Sequence, residues 1–277
     1  MERPFSLQLK QKIPLPLWRF MSSSRYALQR LAQYPAAYLH PLRRESIRRL
    51  QTYHHRYRKE RCFIIGNGPS LKNTDLSKLK NEYSFGLNRI YLLFPEIGFT
   101  TTFLVVVNDL VIEQFAAPML ELPLPKFFSW HSRRLFTIPP QLPMEQKPMF
   151  LFTTYTGPAF NDDACGRLWE GATVTYVALQ LAFFMGFEQV ILVGVDHNFA
   201  TQGKANTTVV SQGDDPNHFA PHYFGKGVRW QLPDLETSER AYRMARDHYQ
   251  RAGRIILDAT VGGKLQVFPK VNYDSLF

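Results

Sequence analysis

Cysteine is scarce in this sequence. Two residues, Cys62 and Cys165, in a chain of 277 provide neither a disulfide framework nor a metal-ligand spacing. The expectation is a reducing, cytoplasmic compartment, with Cys62 a small core residue on a strand. Long apolar runs are lacking too. The longest, Val174–Phe187, is interrupted by Thr175 and Gln180 and falls short of the roughly 18–20 residues that cross a bilayer. Ile13–Met21 is broken by Pro14, Pro16 and Arg19, which excludes a signal-peptide apolar region. Acids are deficient in one place only. Residues 1–60 carry 13 Lys and Arg against 3 acids, whereas residues 61–277 carry 20 of each sign. The whole net charge of +10 therefore belongs to the first 60 residues, a basic arm on an electrically neutral domain. The length suits one large α/β domain with such an appendage.

What is present is organised around Arg61–Ser70, RCFIIGNGPS. Cys62–Ile65 reads as a buried strand. Gly66-Asn67-Gly68-Pro69-Ser70 breaks it abruptly. The glycines permit positive φ and close backbone approach, and Pro69 suits the first turn of a following helix. Strand, Gly-rich turn and helix start are the parts of a nucleotide phosphate site. Leu71 replaces the third glycine of the dinucleotide fingerprint, and no Gly-Lys-Ser/Thr follows, which excludes a P-loop. A tight turn without a ligand is the other reading of this stretch.

Within the arm, Leu15, Leu17, Trp18, Phe20, Tyr26, Leu28, Leu31 and Tyr34 mix with arginines. Pro41–Lys59 sets Leu42, Ile47, Leu50 and Tyr57 among Arg43, Arg44, Arg48, Arg49, Arg56 and Arg58, a basic amphipathic helix. Such a face suits an anionic membrane surface, or else packs on the main domain. No nucleic-acid recognition module accompanies it. From Arg61 onward, strands are expected at Cys62–Ile65, Tyr83–Leu87, Phe103–Val107, Lys126–Phe128, Met149–Phe152, Val190–Val193 and Arg254–Leu257. A buried helix is expected at Thr173–Gly186 and a surface helix at Leu235–Arg251, with acids early and arginines late. The alternation predicts a Rossmann-like, mainly parallel sheet with helices on both faces over 61–277. Residues 197–233 interrupt it with a polar, then aromatic segment, the pattern of a lid.

Asn67, Asn88 and Asn108 each follow a strand. In an open parallel sheet those ends border one crevice, where amides can read a ribose, a base edge or a phosphate oxygen. Asp196, after Val190–Val193, can accept from ribose hydroxyls.

These residues resemble a known family. Ile64–Lys72 (IIGNGPSLK), Asn88, Asn108 and the pair Gly186-Phe187 and Gly194-Val195-Asp196 look like the bacterial sialyltransferases of glycosyltransferase family 42. They also look like the related domain of motility accessory factor flagellin glycosyltransferases and archaeal 6-hydroxymethylpterin diphosphokinases. The likeness covers residues of about 61–260 and leaves the arm outside. It implies a glycosyltransferase that moves a CMP-activated acidic sugar onto a hydroxyl of a glycan or lipid-linked acceptor, without a cofactor or a metal. Asn67, Asn88 and Asn108 would hold CMP, with Gly66, Gly68 and Ser70 around its phosphate, Thr173 at a nucleotide-contacting helix start, and Gly194 and Asp196 beside ribose and base. His218 would be the general base, with His222 as the alternative, since a histidine can take a proton near neutral pH. Tyr223 would support the leaving phosphate.

The sequence departs from the family where Asn198 replaces a tyrosine and Glu170 replaces an arginine. A carboxylate-bearing sugar calls for a cation there. Two other readings stand beside the glycosyltransferase. One is a Mg²⁺-ATP-dependent diphosphate transferase acting on a pterin-like alcohol, with Asp162-Asp163 and Asp214-Asp215 the available acid pairs. The other is a degenerate nucleotide-binding scaffold. The arm would bring the chain to the inner membrane face.

Overall fold

The computed structural model describes residues 33–201 and 203–277. The chain divides into two compact units, Met1–Arg44 and Glu45–Phe277. Most of the expected arm, including Leu15, Trp18, Phe20 and Leu28, lies outside the described residues. In the first unit, residues 33–39 are helical. Helix α1, Pro41–Gln51, stops short of the expected Lys59, and turns follow it. Leu50 is part of the core of the second unit, and Tyr53 and Tyr57 pack against that core. Tyr57 stacks on Phe187 with ring centroids 4.8 Å apart. From Glu45 onward the apolar residues of the expected arm are therefore engaged in the fold.

Eight strands make one sheet, all of its pairings parallel: β1 (Arg61–Ile65), β2 (Tyr83–Leu87), β3 (Phe103–Val106), β4 (Lys126–Ser129), β5 (Met149–Thr154), β6 (Arg167–Trp169), β7 (Gln189–Val193) and β10 (Ile255–Asp258). The order is β10-β7-β1-β2-β3-β4-β5-β6. Strands such as VILV and FLVV are apolar without alternation because both faces are covered. From β1 the chain steps outward through β6 on one side, while β7 and β10 lie on the other. The order therefore reverses between β1 and β7, where Ile64 pairs with Leu192, and open α/β sheets bind ligands at that kind of position.

Helix α2, Asp109–Glu121, was not legible in the sequence. Pro118 lies inside it and Phe115 leaves helical geometry at φ −136°. Helix α3, Val174–Met185, is buried at every residue from Thr175 to Met185. Its one large polar core residue is satisfied: Gln180 donates to Trp169 O at 2.9 Å and accepts from Asn161 N at 3.1 Å. Helix α4 spans the expected Leu235–Arg251, with Asp234 accepting from Thr237 N at 3.0 Å as its cap. Beyond the Gly-rich turn, the expected helix is only a 3₁₀ turn, Pro69–Asn73. The lid contains a short antiparallel pair, β8 (Thr208–Val210) with β9 (Arg229–Gln231).

Candidate functional site

A crevice lies at the carboxyl ends of β1, β2, β3 and β7, under the lid. It has two lobes that share Ala172, Thr173, Phe199, His218 and Asp234. The first sits at the sheet's reversal point, against Gly66, Asn67, Gly68, Gly194 and Asp196, with Tyr242 of α4 opposite. Asn88, Asn108, Tyr155, Glu170, Phe224 and Trp230 border the second.

The glycines act differently from expectation. Gly68 has φ −68°, an ordinary value. What matters is space: Gly66 N donates to Val193 O at 2.8 Å and Gly68 N to Gly194 O at 2.9 Å, so β1 and β7 stay zipped beyond their ends. A Cβ on Gly66 would strike the Gly194 carbonyl, and one on Gly68 would strike the Asp196 carboxylate. With those two N–H groups engaged, the glycines border the first lobe without a free amide to donate to a phosphate. Gly194 does need a left-handed φ, at 70°. Ser70 does not border the crevice. Its N and Oγ donate to the Asp196 carboxylate at 3.1 and 2.6 Å, fixing that side chain at the floor of the first lobe. Burial pushes the Asp196 carboxyl up from its ordinary value, against these two bonds.

The three asparagines divide between the lobes. Asn67 borders the first and is 9% exposed, and its Oδ1 is buried without a hydrogen-bond partner. Asn88, in the second lobe, adopts φ 49° and also holds a buried, unpartnered Oδ1. Such orphaned acceptors cost stability unless they have a use. Asn108 differs: its Oδ1 caps α2, accepting from Leu110 N at 3.0 Å and Val111 N at 3.2 Å. Its amide nitrogen donates to Gln231 Oε1 at 3.5 Å, which leaves one N–H for a ligand. Thr173 caps α3 through Thr175 N at 3.3 Å and borders both lobes. Ahead of it, Gly171 and Ala172 are both left-handed, φ 56° and 58°. Ala172, Asn88 and His197 are non-glycine residues in that region, and all three border the crevice, where backbone strain commonly accompanies function.

The lid brings its histidine to the junction of the lobes. His218 Nδ1 lies 2.7 Å from Asp215 Oδ2. A carboxylate only accepts, so Nδ1 carries the hydrogen and Nε2 is the free basic nitrogen. Asp215 is itself held, accepting from Asn217 N at 2.9 Å and Phe224 N at 3.1 Å. Tyr223 stacks on the imidazole, centroids 4.0 Å apart and 6° between planes. His222 is elsewhere: it borders a different depression, with Leu71 and Leu92, so the structure does not bring it to the crevice. Tyr223 is wholly buried and its hydroxyl accepts from Arg89 N at 3.3 Å, so it braces His218 and does not face the crevice.

Two further residues matter that sequence reasoning missed. In the sequence Asp215 reads only as half of an acid pair; its signal is the Asp-x-x-His spacing to His218. Arg89 follows Asn88, lies with its guanidinium 3.7 Å from the Phe115 ring centroid, and donates to the carbonyls of Tyr223 and His222. Together with Phe219 N, which donates to Asn67 O at 3.0 Å, it fastens the lid to β1 and β2. Glu170, the departure noted above, is 5% exposed in the second lobe. Burial pushes its carboxyl up to about 8.

Among the described residues no three His, Cys, Asp or Glu side chains gather for a metal. The crevice carboxylates are committed: Asp196 to Ser70, Asp234 to Thr237 N and to Asn206 Nδ2 at 3.1 Å, while Glu170 is buried. Asp162 and Asp163 border another depression, beside His54 and Cys165.

Against known proteins, the model of the family described as "6-hydroxymethylpterin diphosphokinase MptE-like" matches residues 38–202. The solved structure of the MAf glycosyltransferase from Magnetospirillum magneticum AMB-1 is similar at 16% identity and a TM-score of 0.44. That likeness covers 92% of this chain and 42% of the MAf chain, so this chain spans less than half of that protein's length. No curated protein matches the chain.

Proposed function

The chain belongs to the MptE-like family, and from that premise we propose that it is a nucleotide-dependent transferase acting on a hydroxyl, in the first instance a glycosyltransferase. The observation that carries this reading is the His218–Asp215 pair at the meeting of the two lobes. The donor's nucleotide lies in the first lobe, where Asn67 and Asp196 meet it and Thr173 stands at the helix start. The acceptor enters the second lobe. His218 Nε2 takes the acceptor's proton as the glycosidic bond to phosphate breaks, and Asp215 stabilises the imidazolium that forms. CMP-activated acidic sugar is the donor that the resemblance implies. Transfer from such a donor needs no metal. The acceptor is a glycan or lipid-linked hydroxyl, met at an anionic membrane surface through the basic residues of 1–60.

A second reading rests on the family description: diphosphate transfer from Mg²⁺-ATP to a pterin-like alcohol. It uses the same base on a different donor. Thermal-shift measurements with CMP, CDP, ADP and ATP, each with and without Mg²⁺, separate the two. Stabilisation by CMP without metal, lost in Asn67→Ala, is the expected result. Mg²⁺-dependent stabilisation by ATP, with no response to CMP, sinks the glycosyltransferase and promotes the diphosphate transferase. A response to none of the four leaves a scaffold.

A further inference from the structure

Glu170 has no evident structural duty. It follows β6 at the edge of the second lobe, with the Thr153 side chain beside its carboxyl. Its Oε1 is buried with no hydrogen-bond partner, as is Oδ1 of Asn88 in the same lobe. The two residues that carry these unpartnered acceptor oxygens thus border one concavity. Phe224 and Trp230, stacked at 5.7 Å and 20°, supply its apolar wall. Among the described residues no lysine or arginine borders this lobe, whereas Glu170 and Asp234 do. His218, the one imidazole there, is held by Asp215. An anion entering would lose its water and gain no cation, a penalty of several kcal/mol in general. A ligand with N–H or O–H donors would instead satisfy oxygens that the fold leaves unsatisfied.

We propose that Glu170 is the specificity-determining residue of the second lobe, where its Oε1 and Asn88 Oδ1 accept hydrogen bonds from the N–H or O–H groups of a ligand that carries no carboxylate or phosphate at that end. The proposal rests on the transferase reading in taking this lobe as the acceptor's. The raised carboxyl of Glu170 agrees with it, because a neutral acid tolerates this position until a donor arrives. It follows that an acidic sugar can be accommodated only with its carboxylate outside this lobe.

Saturation-transfer NMR on the full chain tests this. The probes are methyl glucoside and methyl glucuronoside, one ring with and without a carboxylate, plus 6-hydroxymethylpterin, each measured with and without saturating CMP. In the wild type the uncharged probes should bind at least about tenfold tighter than the glucuronoside, equivalent to about 1.4 kcal/mol. Glu170→Gln keeps the shape and should shrink the preference to about threefold or less; Glu170→Arg should reverse it. Equal binding of both sugars by the wild type, an unchanged ranking in Glu170→Gln, or no binding of any uncharged probe overturns the assignment. Melting curves of each variant confirm folding, and Glu170→Gln carries the test if Glu170→Arg does not fold. CMP is read separately by thermal shift. A preserved ranking without CMP binding would fell the glycosyltransferase and spare Glu170, and the converse would fell Glu170 alone.

Discussion

At the scale of the residue, the crevice is defined by polar atoms that the fold does not satisfy. Asn67 Oδ1 is one of them, and removing it should cost the empty protein nothing. Asn67→Ala is expected to melt at or slightly above the wild-type temperature, while CMP binding weakens by about 0.5–1.5 kcal/mol, the worth of a hydrogen bond from a neutral ribose or base donor. A melting point that falls along with binding would make Asn67 structural. His218→Ala should reduce transfer by about 10²–10⁴-fold and leave nucleotide binding intact, the size of a lost general base. Glu170 makes a pH prediction. Its carboxyl titrates at about 8 when folded and at 4.5 when free, raised first by burial and also by nearby Asp109. The folded chain therefore holds this proton more tightly than the unfolded chain. The stabilisation is complete below the free value and is lost as pH rises through the folded one. Glu170→Gln should abolish that decline and be the more stable protein at pH 8, by about 1–4 kcal/mol in denaturant titrations.

At the scale of the element, α2 and the lid carry the site by unequal means. Helix α2 ends against a buried lysine on β4. Lys126 donates to Leu120 O, Leu122 O and Gln146 O at 3.0, 2.6 and 2.8 Å, and burial lowers its ammonium to about 8. Lys126→Met would leave these carbonyls unpaired and should destabilise the fold by about 2–4 kcal/mol in urea unfolding, with no selective effect on ligand binding. The lid depends on Arg89. Arg89→Met keeps an aliphatic side chain but removes the guanidinium from the Phe115 ring and the donors to the Tyr223 and His222 carbonyls. Hydrogen exchange should rise across residues 215–224 and leave the strands protected, because the sheet does not depend on that contact. Equal exchange in both proteins would show that the lid is held by Phe219 N and its aromatic packing alone.

At the scale of the whole molecule, charge and fold are separated. The strands and crevice belong to a neutral stretch, and the surplus of +10 belongs to residues 1–60. Among the described residues no helix is long and apolar enough to cross a membrane. The full chain should cosediment with vesicles rich in phosphatidylglycerol at low salt and not with phosphatidylcholine vesicles. Each basic residue near the surface adds about 1 kcal/mol and is screened by added salt. Indifference to lipid charge would remove the membrane from the proposed function. The apolar half of that attraction has to come from before Glu45, since Leu50, Tyr53 and Tyr57 are already packed on the core.

Sequence alone determined the family, the parallel sheet and most strand positions. Runs such as Cys62–Ile65 and Val190–Val193 are apolar on both faces, and that signal is local. It also placed α4 to the residue, because its cap and charge gradient are encoded in one dimension. Helix α2 was hidden because Pro118 and the break at Phe115 blur its periodicity. The short partner strands β6, β8 and β9, of three residues each, are too brief to carry a pattern. Which side chains do what was decided by tertiary structure. The roles of Ser70 and Asp196 depend on β1 lying beside β7, some 126 positions apart in the chain. Spacing could not tell His218 from His222, because a lid turns its side chains according to what holds it, here Asp215, Tyr223 and Arg89. Glu170 read as a missing arginine; only burial and an unpartnered oxygen made it a residue with chemistry of its own.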